Sequence, residues 1–196
     1  MVRTKIVQGN IVGLSVDAVI NAANTSLLGG TGVDGAIHNA AGPELLEECR
    51  TLNGCKPGEA KITKGYKLKA QYVIHTVGPV YDKKNLDQSA SLLKNCYISC
   101  LELADKHRLT TLAFPSISTG LYGYPKEDAA KVARQTLREY FPALEYNGKQ
   151  TTIETIYFVA FDIETKELYD KYLSDPFGVS RFVATEADVT IRRATK

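Results

Sequence analysis

The sequence, 196 residues long, holds no apolar run near the ~18 residues that cross a bilayer, which argues against a membrane-spanning helix. Its first residues, MVRTKIVQGN, lack the apolar core of about 7–15 residues that marks a secretory signal, so the expected setting is reducing and cytoplasmic. Only four cysteines occur (Cys49, Cys55, Cys96 and Cys100), and no CxxC pair is among them. That leaves neither zinc-ligand spacing nor a disulfide framework. The cysteines are expected as small buried residues, with no metal or cofactor implied. Excess charge of one sign is equally scarce: 24 Lys and Arg stand against 22 Asp and Glu, a net +2. Binding along a phosphate backbone wants a basic surplus and a basic–aromatic stripe, so nucleic-acid binding is disfavoured. Neither G-x-G-x-x-G nor G-x-x-x-x-G-K-[ST] is present, which removes the Rossmann dinucleotide site and the P-loop. No Ser/His/Asp order presents itself, and Cys55 has no evident base. His38 and His107 lie in helical patterns without evident partners, and His75 reads as a mid-strand core histidine.

What is there is an ordinary soluble composition, 44% hydrophobic and 23% charged, at a length that fits one domain with a short appendage. Strand patterns recur at Thr4–Gln8, Val16–Asn21, Lys61–Lys64, Tyr72–Val77, Thr111–Phe114 and Ile153–Phe161. Helical patterns fill Val33–Ala41, Pro43–Leu52, Asp87–His107 with Asp87 as cap, Lys126–Tyr140 and Glu164–Ser174. Such alternation points to a mostly parallel or mixed sheet covered on both faces. Asp175–Lys196 differs in composition and is expected as an extension or mobile tail.

Glycine and small polar residues gather where strand patterns end. Val16–Asn21 runs into Asn24 and the turn Gly29-Gly30-Thr31-Gly32-Val33-Asp34, and Thr111–Phe114 runs into Ser118-Thr119-Gly120-Leu121-Tyr122-Gly123. In open α/β sheets that edge is where ligands bind. Glycines allow positive φ and close approach, and consecutive N–H groups at a helix start hold an anion. Two such loops could clamp a pyrophosphate with neither lysine nor metal. Asn24 and Asp34 flank the first loop. A carboxylate there serves the helix dipole, or takes a proton from water, or holds a sugar hydroxyl; an amide suits a vicinal diol.

NAAN followed by GVDG, the GEAKITKGY…YVIHTVGP stretch and PSISTGLYGYP together resemble the macrodomain family, MacroD-type branch, over roughly residues 3–173. The resemblance implies an α/β fold, a three-layer α/β/α sandwich, with ADP-ribose bound by residues 1–174. It also implies a metal-independent hydrolase that removes mono-ADP-ribose from acidic side chains and deacetylates O-acetyl-ADP-ribose. Its partners would be ADP-ribose, its esters and mono-ADP-ribosylated proteins, and a monomer is expected. Under it Asn24 would hold the distal ribose and Asp34 would activate water. Gly29–Val33 and Ser118–Gly123 would be the phosphate loops, with Tyr122 over the distal ribose, Ile11 lining the adenine pocket and Phe161 at the adenine face. Three positions depart from the pattern. Asn10 stands where the family has aspartate on the adenine amino group, and weaker binding follows if a neutral bond (about 0.5–1.5 kcal/mol) replaces a charged one (about 1.5–3). Thr31 replaces a glycine, which strains the loop if positive φ is needed there. Tyr122 replaces phenylalanine and adds a hydroxyl. A reader module that binds without turnover, and an ADP-ribose 1″-phosphate phosphatase, would use the same pocket.

Overall fold

Short β-branched runs and longer amphipathic runs alternate along the chain, and each becomes one element. The computed structural model describes residues 2–178, so beyond Gly178 the expected appendage lies outside the described residues. The order is β1 (Arg3–Gln8), β2 (Ala18–Ala23), α1 (Gly32–Ala41), α2 (Pro43–Thr51), β3 (Ala60–Lys64), β4 (Tyr72–Val77), α3 (Leu86–Lys106), β5 (Thr111–Phe114), α4 (Lys126–Tyr146), β6 (Thr155–Ala160) and α5 (Ile163–Leu173). The six strands form one mixed sheet in the order β1-β6-β5-β2-β4-β3. Only the β3–β4 pairing is antiparallel.

Side chains alternate across a strand, so a sheet covered on both faces has two cores. Ala18 and Ile20 of β2, Ile74 of β4, and Ile156 and Phe158 of β6 join the side chains of α3, α4 and α5. Val19 and Ala23 of β2, Val73 and Val77 of β4, and Val159 of β6 join Ile37, Leu45 and Cys49 of α1 and α2. The result is the expected three-layer sandwich. An aromatic column crosses the first core: Tyr97 meets Phe114 at 5.2 Å between centroids, Phe114 meets Phe158 at 5.9 Å, and Phe158 meets Tyr169 at 5.6 Å. At the opposite strand ends Asp17 Oδ2 accepts from the N–H groups of Thr110 and Thr111, at 2.7 and 2.9 Å, tying the start of β5 to β2.

Several boundaries differ from the sequence reading, for physical reasons. α4 runs six residues past Tyr140, through Pro142. The missing Pro142 N–H deprives only the carbonyl of exposed Arg138, which water can serve. Asn85, not Asp87, is the N-cap of α3, and Asp87 sits in its first turn. β2 begins two residues later than read and continues to Ala23, which carries the strand up to Asn24. β6 ends at Ala160, leaving Phe161 beyond the ladder. All four cysteines are free and buried, as expected. No helix among the described residues is long and apolar enough to cross a membrane.

Phe158 has no exposed surface and touches aromatic rings from both β5 and α5. Phe158→Ala is therefore expected to lower stability by about 3–5 kcal/mol in urea unfolding. A loss under about 1 kcal/mol would show that the column does not carry the core.

Candidate active site

The carboxyl ends of β2, β5 and β6 open onto a cleft of about 830 Å³. That size and position suit a nucleotide-sized ligand. The loop from β2 to α1 forms one wall. Its sequence folds this way because Gly29 and Gly32 take φ of +88° and +62°, turns that other residues enter only with strain. Thr31, by contrast, is extended (φ −107°, ψ 176°), so the threonine brings no backbone strain. Gly30, Thr31, Gly32 and Val33 line the cleft, and the first N–H groups of α1 have no intrahelical partner. Gly29 turns away from it. It borders a second cavity of about 440 Å³ on the other side of the loop, together with His38.

The amide of Asn24 organises this loop. Its Nδ2 donates to Gly29 O at 2.9 Å, and its Oδ1 accepts from Ser26 N at 3.0 Å and Ser26 Oγ at 2.6 Å. One N–H of Asn24 is left for a ligand in the cleft it lines.

The second wall follows β5. Ser118, Thr119, Gly120, Leu121 and Tyr122 all line the cleft, whereas Gly123 closes the turn by donating to Gly120 O at 2.9 Å. The N–H groups of Thr119, Gly120, Leu121 and Tyr122 have no partner within the described residues. Ser118 holds φ of +64°, and its buried Oγ is unpartnered. Gly78, at the end of β4, makes room for it: a Cβ there would stand 2.0 Å from Ser118 Oγ. At the far end, Ile11, Val159 and Phe161 offer apolar surfaces, with Phe161 84% exposed. Asn10 caps the 3-10 turn Ile11–Gly13, its Oδ1 accepting from Val12 N at 3.2 Å. Lys126 lines the same end, neutralised by Asp162 at 3.1 Å and Glu164 at 2.7 Å.

Asp34, in the first turn of α1, is 3% exposed. Asn21 Nδ2 donates to its Oδ1 at 2.7 Å, and His38 Nε2 stands 3.5 Å from the same oxygen. Burial pushes the Asp34 carboxyl above its usual range, and the Asn21 bond and His38 pull it back in part. Oδ2 has no partner; a Cβ on Gly30 would lie 2.9 Å from it, so glycine keeps a side chain off that oxygen. Asn21 Nδ2 is also 3.1 Å from His75 Nδ1. An amide nitrogen only donates, so Nδ1 accepts and the ring proton sits on Nε2, 2.9 Å from Thr63 Oγ1. Burial drives the His75 pKa down to about 3, which keeps the ring neutral.

Asn21 and Thr63 escaped the sequence reading, and His38, expected to lack a partner, stands 3.5 Å from Asp34 Oδ1. The one signal was polarity inside strand patterns that should be wholly apolar. His38, Cys49 and His75 bring two ring nitrogens and a thiol within 4.8 Å of one another. Burial pushes the Cys49 thiol up to about 11, and His75 Nε2 already meets Thr63, so these donors suit a neutral hydrogen-bonded core better than a cation. Cys55 is likewise pushed to about 11, which removes it as a nucleophile.

A cleft at the carboxyl ends of parallel strands, walled by glycine turns and a helix N-terminus, defines an α/β domain shaped for a phosphorylated ligand. Within that class the family is specific: the chain belongs to the Macro domain family, whose pattern matches residues 20–133. The Macro domain-containing protein CT2219 of Chlorobaculum tepidum is 54% identical over 168 residues, 86% of this chain and 94% of that protein. The ADP-ribose glycohydrolase MACROD1 of Bos taurus is 55% identical over 138 residues, 70% of this chain but only 42% of that longer protein. The solved Trypanosoma brucei macrodomain in complex with ADP-ribose matches with a TM-score of 0.77 at 43% identity, covering 86% of this chain and 68% of that one.

A neutral buried histidine makes stability depend on pH. The unfolded chain binds a proton near pH 6.5 and the native chain near 3, so the His75 contribution is complete above 6.5 and is lost as pH falls. Urea unfolding should lose about 2 kcal/mol of stability to this group between pH 7 and 5, a component that His75→Gln removes. Equal losses in both proteins would contradict a neutral buried ring.

Proposed function

We propose that the chain binds ADP-ribose in this cleft and hydrolyses the ester joining it to acidic side chains of mono-ADP-ribosylated proteins, and the acetyl ester of O-acetyl-ADP-ribose. One observation carries the reading: Asp34 has one oxygen held from behind by Asn21 and the other unpartnered beside the glycine loop, in a cleft rich in free backbone N–H groups. The MACROD1 relative supports the activity, and the ADP-ribose complex of the trypanosomal neighbour supports the ligand.

The ligand would lie with its base between Ile11, Val159 and Phe161 and its diphosphate between Gly30–Val33 and Ser118–Tyr122. Its distal ribose would then meet Tyr122, the spare N–H of Asn24 and Asp34 Oδ2. Backbone N–H groups neutralise phosphate without metal. A water held at Oδ2, with a ligand phosphate oxygen as its second acceptor, gives up a proton to Asp34 as its oxygen bonds to C1″. The bond from C1″ to the acyl oxygen breaks, the carboxylate departs, and the proton passes from Asp34 to solvent. Positioning of that water supplies several kcal/mol of the barrier reduction, and general-base help adds about 10²–10⁴-fold. In this reading residues 1–174 are the ADP-ribose-binding unit, acting as a cytoplasmic monomer, and 175–196 are an appendage.

A second reading, a reader that binds without turnover, is favoured by one feature: Asp34 Oδ2 is fully buried beneath Gly30, so water has to be admitted with the ligand. Calorimetry with ADP-ribose beside a turnover assay on a glutamate-modified protein separates the two. Binding with release of ADP-ribose is expected. Binding without release selects the reader, and no binding at millimolar concentration overturns both.

Asp34→Asn keeps an acceptor for Asn21 while removing a buried charge. It is expected to leave the melting temperature equal or higher, hold ADP-ribose affinity within a few-fold, and reduce turnover by about 10²-fold or more. Unchanged turnover would remove Asp34 from the chemistry. Val12 N–H takes one lone pair of the Asn10 oxygen, and Asn10→Asp, which adds a second oxygen and a charge, is expected to tighten ADP-ribose binding about fivefold by calorimetry. Unchanged affinity would mean the base does not meet residue 10.

A further inference from the structure

Asn21 and His75 occupy paired positions on the parallel strands β2 and β4. Period-two alternation turns both toward α1 and α2, on the same face as Val19, Val73 and Val77. The antiparallel edge strand β3 brings Thr63 to the same face, within 2.9 Å of the His75 ring. Three strands thus contribute one side chain each to a buried line that ends at Asp34. Asn21 and His75 have no exposed surface, and Thr63 is 2% exposed, so solvent does not replace a lost partner.

We propose that His75 and Thr63 are positioning residues for Asp34, acting through Asn21: the bare Nδ1 of His75 holds the second hydrogen of the Asn21 amide, and the Thr63 hydroxyl satisfies the ring proton that this tautomer leaves on Nε2. The proposal rests on the hydrolase reading above. Asn21 Nδ2 carries two hydrogens, and both are used, one on Asp34 Oδ1 at 2.7 Å and one on His75 Nδ1 at 3.1 Å. The arrangement works only while Nδ1 is bare. A proton there would set two donors against each other at 3.1 Å, so the amide or the ring would turn and Asp34 would lose its closest donor. With Nδ1 bare the ring proton is on Nε2, and Thr63 Oγ1, 2.9 Å away, is the acceptor that satisfies it. Cys49 Sγ, at 3.7 Å, is a weaker substitute.

The groups facing Asp34 are few. His38 comes from its own helix, Asn21 from β2, Asn24 and Gly30 from the first loop, and the Cys49 thiol from α2. On α2, Glu48 is directed away to Lys64 N at 3.0 Å and Tyr66 Oη at 2.8 Å. Asn21 is therefore the main group opposing the effect of burial on Asp34. Loosening it raises the pH at which the carboxyl ionises and lets Oδ2 swing from its place beside Gly30. The phosphate loops lie outside this line, so the diphosphate keeps its contacts and the effect on ligand affinity is confined to the Asp34 contact with the distal ribose.

The experiment compares Thr63→Val, which keeps shape and removes the hydroxyl, with Thr63→Ser, which restores it. Turnover of a glutamate-modified protein is followed from pH 5 to 8, ADP-ribose affinity by calorimetry, and the His75 ring nitrogens by long-range ¹H–¹⁵N correlation. In the wild type Nδ1 is expected bare and Nε2 protonated. Thr63→Val should mix the tautomers, lower kcat at neutral pH about tenfold and move its acid limb up by about half to one pH unit, with affinity within twofold. Thr63→Ser should restore all three. A Thr63→Val protein that melts earlier but keeps the wild-type kcat and pH profile would overturn the proposal, since the hydroxyl would then be merely structural. So would a wild-type ring protonated on Nδ1, whatever the activity and whether or not the valine variant folds. A wild type that binds ADP-ribose but does not release it counts against the hydrolase reading, and the nitrogen spectrum then judges the tautomer on its own.

Discussion

A carboxylate withdrawn from water has to be compensated by donors, and at Asp34 the 2.7 Å bond from Asn21 is the principal one. Burying an unpaired carboxylate costs several kcal/mol, so the native state persists only where such a donor is guaranteed. Much of the architecture supplies that guarantee. Asn21 is oriented because β2 pairs with β4 in a register that sets it beside His75. Asp34 reaches it because α1 begins at Gly32, which puts residue 34 in the first turn and over the strand. The same first turn lies at the positive end of the helix dipole, which favours the ionised form.

The sheet allots its polar chemistry to one edge. With apolar cores on both faces, unsatisfied N–H groups and buried polar atoms are sustainable only where strands stop and helices start. The two walls do different work there. The first presents the start of α1 and carries Asn24 and Asp34; the second presents a row of loop N–H groups held by Ser118 and Gly123. Asn24 joins the categories, since its amide shapes the loop and keeps one hydrogen for the cleft.

The layered fold was legible because each element is announced locally, by period and by punctuation. Where local signals compete, boundaries moved: Pro142 reads as a stop yet lies inside α4, and Asp87 reads as a cap yet lies past Asn85. The cleft was legible for a related reason, since each wall is one continuous segment ending a strand. Of its named residues, only Gly29 and Gly123 turned out to build the turns rather than face the cleft. The line behind Asp34 was not legible. Thr63, His75, Asn21 and Asp34 are brought together by strand order and by a helix crossing the sheet, and neither is written in any short stretch of sequence. The internal use of the Asn10 and Asn24 amides was hidden too, because an asparagine that caps a turn looks like one that awaits a ligand.

Ser118 and Gly78 belong to different loops, yet a single methyl at position 78 would collide with the Ser118 hydroxyl at 2.0 Å, while Ser118 itself sits in the left-handed region. The two positions are bound by an order of events. Residue 78 can gain a side chain only after residue 118 has given up its hydroxyl and Ile117, whose Cγ2 would stand 2.7 Å from the same Cβ, has been trimmed or moved, so a differently shaped cleft is reached by changing the second loop before the first residue past β4.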